Sequence, residues 1–327
     1  MNEQRTMRAV VATTYGPPEE FTVAEVPVPR PGPGQLQLRI AAAAVNPADV
    51  RLPGGEFGDA APLEFPYVPG NDFAGTVTEV GAGVTAYRVG DEVFGLAVPR
   101  VLRAMAGKRP SVGTGSLAEY AVVEADTPMV AHRPPGLPAD EAAALATAGV
   151  TALAVTATAR VQPGERVLLV GATGGVGTAL LPLLAAAGAE VTATGTGADA
   201  DLLRELGAHQ VVGYGEADYP AGVDVAVNAV LPGDHLSGLA AALRPGGRLV
   251  TITYPVPTPE TVGRDDVETH FVLDMDAELA DMREVGDAAV RGALRATVGR
   301  RYGLDEGPRA CADFVRLHTT GKIVVTV

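Results

Sequence analysis

The stretch Arg166–Gly177, RVLLVGATGGVG, constrains this chain more than any other. Val167 to Val170 is a short apolar run, β-branched at both ends, of the kind that forms a buried parallel strand. It leads directly into Gly171-Ala172-Thr173-Gly174-Gly175-Val176-Gly177. Thr178 to Ala187 follows, rich in Ala and Leu, which favour helix. Strand, glycine turn and helix form the context that a dinucleotide fingerprint needs. Gly171 allows the tight turn. Gly174 and Gly175 let a pyrophosphate approach the backbone, and Gly177 lets the helix pack on the strand. The helix N-terminus then offers unpaired N–H groups and a partial positive charge to phosphates. A glycine turn that binds nothing is the plain alternative, and a second strand at Glu190 to Thr194 weighs against it.

A chain of 327 residues suggests about two domains with substantial cores. Its net charge of −14 disfavours nucleic acid and anionic membranes as partners. The single cysteine, Cys311, excludes a disulfide framework and any Cys-rich metal site, and fits a reducing compartment. The N-terminal MNEQRTMRAV has no apolar core of a secretory signal, so the expected location is cytoplasmic. Ala142 to Ala159 lacks charges and reaches membrane-spanning length. Being mostly Ala, it reads instead as a buried helix crossing between two domains.

Along the chain, Met7 to Thr14, Phe21 to Val28 and Gln35 to Ala44 read as strands separated by Gly/Pro turns. Thr76 to Val80, the segment around Val93 and Leu117 to Val123 continue the pattern, which indicates a β-barrel-like first domain. Leu96 to Gly115 is a long insertion with Arg100, Arg103, Lys108 and Arg109, either a functional lid or a solvated excursion. Pro128 to Pro138 reads as a linker. Strands then alternate with helices: Val167 to Val170, Glu190 to Thr194, Gln210 to Val212, Val223 to Val227, Gly247 to Ile252 and His270 to Leu273, with helices such as Asp199 to Leu206 and His235 to Leu243. That is a doubly wound parallel sheet. Arg295 to Tyr302, Gly307 to Leu317 and Ile323 to Val327 give strand, helix and strand at the end.

The motifs AAVNPADVR, PYVPGNDFAGTVTEVG, VGDEVFG, GSLAEY, AGVTA, VLLVGATGGVG, LRELGA, LRPGGRLV and TGKIVVTV run from about Met7 to the last residue. Together they resemble the zinc-free quinone oxidoreductase branch of the medium-chain dehydrogenase/reductase superfamily. The resemblance implies an α/β protein with a GroES-like β-barrel catalytic domain, residues 1–127 and 291–327, around a Rossmann domain, residues 128–290. The substrate would sit in the cleft between them, and the assembly would be a homodimer or homotetramer.

In the zinc-dependent branch a Cys stands at the place of Asn46 and a Gly-His-Glu at Gly70-Asn71-Asp72. Zinc wants thiolate, imidazole or carboxylate. Both the Cys and the His are Asn here, and His132, His209, His235, His270 and His318 show no ligand spacing. No metal is expected. The chemistry left is hydride transfer to an enone, enoyl ester or quinone.

An NAD site places an acid after the second strand. Here Thr194-Gly195-Thr196 has none, and Asp199 reads as a helix N-cap, so NADPH is expected over NADH. Tyr214 matches the family's phosphate-binding Tyr. The usual Lys is missing, leaving Thr194, Thr196 and Arg204. Asn46, Thr151, Asn228, Val230 and backbone from Phe271 to Leu273 resemble nicotinamide-side contacts, with Thr173 and Val176 in the glycine loop. Lys322, one of two lysines, resembles a cofactor- or substrate-side residue. Arg51 stands where several quinone reductases have an active-site Tyr, Tyr254 is placed to line the cleft, and Asp49 reads as structural. The catalytic candidates are therefore Asn46, Arg51, Tyr254 and Lys322. The expected function is NADPH-dependent reduction of an activated C=C bond or quinone. The Ala-, Gly- and Arg-rich composition fits a tailoring role in secondary metabolism. A redox-neutral cyclisation or elimination on the same fold, and a non-catalytic NADP(H)-binding protein, stay open.

Overall fold

The computed structural model describes residues 5–56, 58 and 61–327, so Met1–Gln4 of the N-terminal stretch lie outside the described residues. Two sheets organise the rest. The first has nine strands, and its main path runs Val98–Pro99, Val112–Gly113, Tyr120–Glu124, Gln35–Ala44, Asp72–Val80, Glu92–Leu96, Val130–His132. The final strand, Lys322–Thr326, pairs antiparallel with the Ala42–Ala44 end of Gln35–Ala44 and parallel with Val298–Gly303. Both ends of the chain therefore build this sheet. Leu36, Leu38 and Ile40 alternate onto one buried face with Phe73, Val77 and Val93, as the period-two pattern requires. A separate ribbon, Thr6–Val11 with Thr22–Pro27, closes over it through bridges at Ala9–Ala118 and Ala12–Tyr67.

The second sheet has six strands, all parallel, in the order Gln210–Val212, Glu190–Thr194, Arg166–Val170, Val223–Asn228, Leu243–Thr251, Glu268–Phe271. Val167 and Leu169 enter one core while Leu168 and Val170 enter the other, which is why this strand reads as continuously apolar. The strand order reverses between Arg166–Val170 and Val223–Asn228. In a doubly wound sheet the ligand crevice opens at the carboxyl ends of the strands flanking that point.

Helix Ala139–Ala159 joins the two halves. It packs on strands Gln35–Ala44, Asp72–Val80 and Glu92–Leu96 of the first sheet and on helix Gly175–Ala186 beside the second. It is long and apolar enough to cross a membrane, but 67% of its most apolar stretch is buried inside the protein. Alanine is chosen here for size, because two layers close onto one helix.

Several elements differ from the sequence expectation. Val130–His132, inside the stretch read as linker, pairs with Val93–Gly95 and so extends the first sheet. The helix expected at His235 to Leu243 is shorter, Ser237–Ala241, because Leu243 already belongs to a strand. Helix Met282–Val290 went unread. Its start carries a capping box: Glu284 N donates to Asp281 Oδ1 at 2.9 Å, and Asp281 N donates to Glu284 Oε2 at 3.0 Å. The insertion Leu96 to Gly115 is pinned to its own domain by Arg103–Glu124 and Arg109–Asp126. It also reaches the other domain, where Lys108 N donates to Asp276 Oδ1 at 2.5 Å. There Met105 and Gly107 face Leu273–Asp276 across a cleft of about 250 Å³.

Candidate active site between the two sheets

The glycine loop lies at the reversal point. Gly171 has φ of +90°, the left-handed conformation that the turn demands. A Cβ on Gly177 would sit 2.6 Å from Ala172 Cα, so only glycine lets this helix start close to the strand. At Gly174 a Cβ would meet nothing nearer than Gly171 O at 3.5 Å, and the backbone there is open to a ligand. Gly175 meets a further need that its place in the motif did not suggest. Its missing side chain makes room for the Lys322 stem, whose Cγ would lie 2.9 Å from such a Cβ.

Lys322 reaches this place because the C-terminal segment is tied to the loop. Gly321 N donates to Thr173 O at 2.7 Å, and Gly174 and Gly321 form a parallel bridge. The Lys322 Nζ donates to Asn46 Oδ1 at 2.6 Å and to Asp72 Oδ2 at 3.1 Å. Its third N–H has no partner among the described residues. The other Asp72 oxygen accepts from Thr147 N at 3.1 Å and from the Thr147 hydroxyl. Lys322 and Asp72 are 8% and 0% exposed, so this ion pair is desolvated, and each charge depends on the other and on these extra donors. Beside it the amide oxygen of Asn71 is buried with no partner among the described residues. A buried carbonyl normally has a donor, so this oxygen is open to a donor from a bound molecule or water.

Asn46, at the Cys position, and Asp72, at the Glu of the Gly-His-Glu position, thus grip an ammonium. A site holding one positive charge on these oxygens does not fit a zinc ion on the same oxygens.

Asp49 underlies the cluster. Its carboxylate accepts Asn46 N at 2.7 Å and Gly70 N at 3.1 Å, fixing the two asparagine-bearing loops together. Burial pushes its pKa up to about 7, the charge of Asp72 adds to this, and the backbone donor of Asn46 works against it. A carboxyl whose folded pKa lies above its unfolded value near 4 binds more protons folded than unfolded. Its stabilisation is therefore full below about pH 4 and is lost as pH rises through about 7. Denaturant melts of wild type and Asp49→Asn across that window test this. The two should be close at pH 4, and the variant should gain on wild type toward pH 8.

Other candidates are placed differently from their expected roles. Asn46 positions Lys322 through Oδ1, while Nδ2 donates one N–H to Ala44 O at 3.2 Å and keeps the other without a partner among the described residues. Arg51 pairs with Glu56 at 2.9 Å, is about half exposed and has no contact with the cluster. Asn228 is consumed in shaping its loop: Nδ2 donates to Leu231 O, Thr251 Oγ1 and Thr253 Oγ1, and Oδ1 accepts from Val230 N and Leu231 N. Val230 is exposed and lies against Gly171. Tyr254 packs edge-to-face on Phe271 with centroids 5.1 Å apart, near exposed Leu273, so these three share one rim. Thr151 is half-buried, one helical turn beyond Thr147.

At the far end of the loop, Thr194 is fully buried, with its hydroxyl accepting from Gly171 N at 3.1 Å, and this burial sets it apart from the phosphate contact expected of it. Thr196 is likewise spent on Asp199, donating through N and Oγ1. Arg204 pairs with Asp201 on the surface. Asp199 occupies the N-cap position of helix Ala200–Glu205, as expected, but its side chain makes no capping bond to the helix. It turns inward to the C-terminal segment instead, where Thr320 and His318 bind it. Tyr214 faces Thr173, with hydroxyls 3.4 Å apart. Asp72, Asn71, Thr147, His318 and Thr320 were not singled out as site residues. Asp72 and Asn71 lie in a quoted motif, but nothing marks Thr147 within an alanine-rich helix.

Comparison with known proteins agrees with this architecture. Residues 32–135 match the alcohol dehydrogenase GroES-like domain, and residues 206–325 match the zinc-binding dehydrogenase family. The chain is 30% identical over 322 residues to the chloroplastic quinone oxidoreductase of Triphysaria versicolor, with 92% of each chain covered. It is 33% identical over 302 residues to a spectinabilin polyketide synthase system protein of Streptomyces orinoci, covering 88% of this chain and 13% of that one. A mycobacterial structure in complex with NADPH superposes with a TM-score of 0.82 at 26% identity, covering 98% of this chain and all of the other. Fold and comparisons define an oxidoreductase with a glycine loop on a Rossmann-like parallel sheet and a GroES-like half-barrel. The chain belongs to the quinone oxidoreductase branch of the medium-chain dehydrogenase/reductase superfamily.

Proposed function

We propose that the protein is a zinc-independent, NADPH-dependent reductase of an activated C=C bond or a quinone, with Lys322 as the group that polarises the acceptor. The observation that carries this is the Lys322 ammonium held between the glycine loop and Asn46 and Asp72, with one N–H to spare. Gly171, Gly174 and the first turn of helix Gly175–Ala186 would hold the pyrophosphate. A reduced nicotinamide bound there supplies a hydride. Lys322 donates its free N–H to the carbonyl oxygen of the acceptor and stabilises the negative charge that appears there as the β-carbon is reduced. Asn46 and Asp72 keep the ammonium at a fixed point, so little reorganisation is needed. The enolate takes its proton from water in the cleft. Tyr254, Phe271 and Leu273 offer an apolar rim suited to the body of an enone.

Steady-state oxidation of NADPH against a panel of quinones, enones and enoyl thioesters tests the reading. Turnover of at least one class is expected. Tight cofactor binding with every acceptor inert would sink it.

A further inference from the structure

We propose that His318 is the residue by which this chain selects a 2′-phosphorylated nicotinamide dinucleotide. The inference rests on the reading of the glycine loop as a dinucleotide site.

The difficulty it resolves is local. No Lys or Arg directly follows the second strand of the parallel sheet, Thr194 is fully buried, and the Thr196 hydroxyl donates to Asp199. A phosphate wants a charge-assisted donor. The groups that face this corner are Thr173, Tyr214 and His318. His318 is delivered from the opposite end of the chain, between helix Gly307–Arg316 and strand Lys322–Thr326. Its Nε2 lies 3.2 Å from both oxygens of Asp199, and its ring stands edge-on to Tyr214, with centroids 6.5 Å apart. The side chain is half exposed, and its Nδ1 has no partner among the described residues.

Asp199 is the first acid after the second strand, and its geometry tells against an NAD-type site. In such a site the acid accepts a ribose hydroxyl. Here the Asp199 carboxylate is buried and accepts from Thr196 N at 3.0 Å, Thr196 Oγ1 at 2.6 Å and Thr320 Oγ1 at 2.5 Å, besides His318. Burial works against its charge, but these donors outweigh burial and hold the carboxyl well below the usual range. It is therefore a fixed internal anion that orients the imidazole. Asp199 and Tyr214 are the titratable groups that the described residues place against the ring.

Asp199 holds Nε2, which leaves Nδ1 as the ring atom that meets the 2′-phosphate. NADH lacks that phosphate and makes no use of it.

Fluorescence titrations of the full chain with NADPH and NADH test this. Wild type should prefer NADPH. His318→Gln should weaken NADPH binding about 10- to 100-fold and leave NADH binding within about twofold. Unchanged NADH binding shows that the loop is still folded. His318→Arg should keep the preference. The inference is overturned if His318→Gln keeps the wild-type ratio, or if wild type prefers NADH. If neither nucleotide binds wild type, the dinucleotide reading falls and the inference falls with it.

Discussion

Replacing Lys322 with methionine is expected to lower kcat by about 100- to 1,000-fold on any acceptor the protein reduces, the range seen when one preorganised donor to a developing oxyanion is lost. KM for NADPH should change little, because the methionine keeps the apolar stem that fills the space beside Gly175. The same change strands Asp72, which is fully buried. Removing one partner of a buried pair costs about 3–5 kcal/mol. The Thr147 backbone and hydroxyl donors keep part of the Asp72 charge satisfied, which points to the lower end of that range. The double variant Lys322→Met with Asp72→Asn separates the two effects. It should recover most of the lost stability in a denaturant melt and none of the lost turnover. Recovery of turnover as well would mean that the ammonium is a structural counter-charge only.

The second large effect is expected at Gly177. A valine there places its Cβ against the backbone of Ala172, which cannot yield as a flexible side chain would. Helix Gly175–Ala186 must then move away from strand Arg166–Val170. Forced overpacking costs about 1–3 kcal/mol and more where backbone blocks relief. The shift also carries the N–H groups of the first turn away from the phosphates. Both the unfolding free energy and the affinity for NADPH should fall, the affinity by at least about tenfold. Gly174→Ala is the matched control: its Cβ would enter the open side of the loop, so stability should hold while nucleotide affinity drops. A Gly177→Val protein with wild-type affinity would remove the close-packing argument.

Much of the architecture was legible locally. The doubly wound sheet is written in apolar runs of five or so residues separated by helical stretches, and the final strand could be named from Ile323 to Val327. Helix Met282–Val290 was missed although its capping box, Asp281 to Glu284, was in plain view, because no strand pattern flanked it. The strand Val130–His132 was missed because it is short and bounded by prolines. The expected cofactor contacts fared unevenly for one reason. Thr194, Thr196, Asn46 and Asn228 are polar residues at the right places along the chain, yet each satisfies a neighbouring backbone or side-chain group instead of facing outward. Sequence position gives the address of a side chain but not where its hydrogen bonds go.

The sequence by itself determined the parallel nucleotide fold, the glycine turn at its centre and the replacement of zinc-binding side chains by amides, because these follow from residue type, period and spacing along a continuous segment. Only the tertiary structure decided the chemistry at the cleft. Lys322 meets Asn46 and Asp72 across 276 and 250 residues, and His318 meets Asp199 across 119. Those contacts arise because the last strand pairs with Gln35–Ala44 while the loop before it hydrogen-bonds to Thr173. Strand pairing between distant segments leaves no periodic signal in either one, so the charges it brings together could be recognised only once the chain had closed.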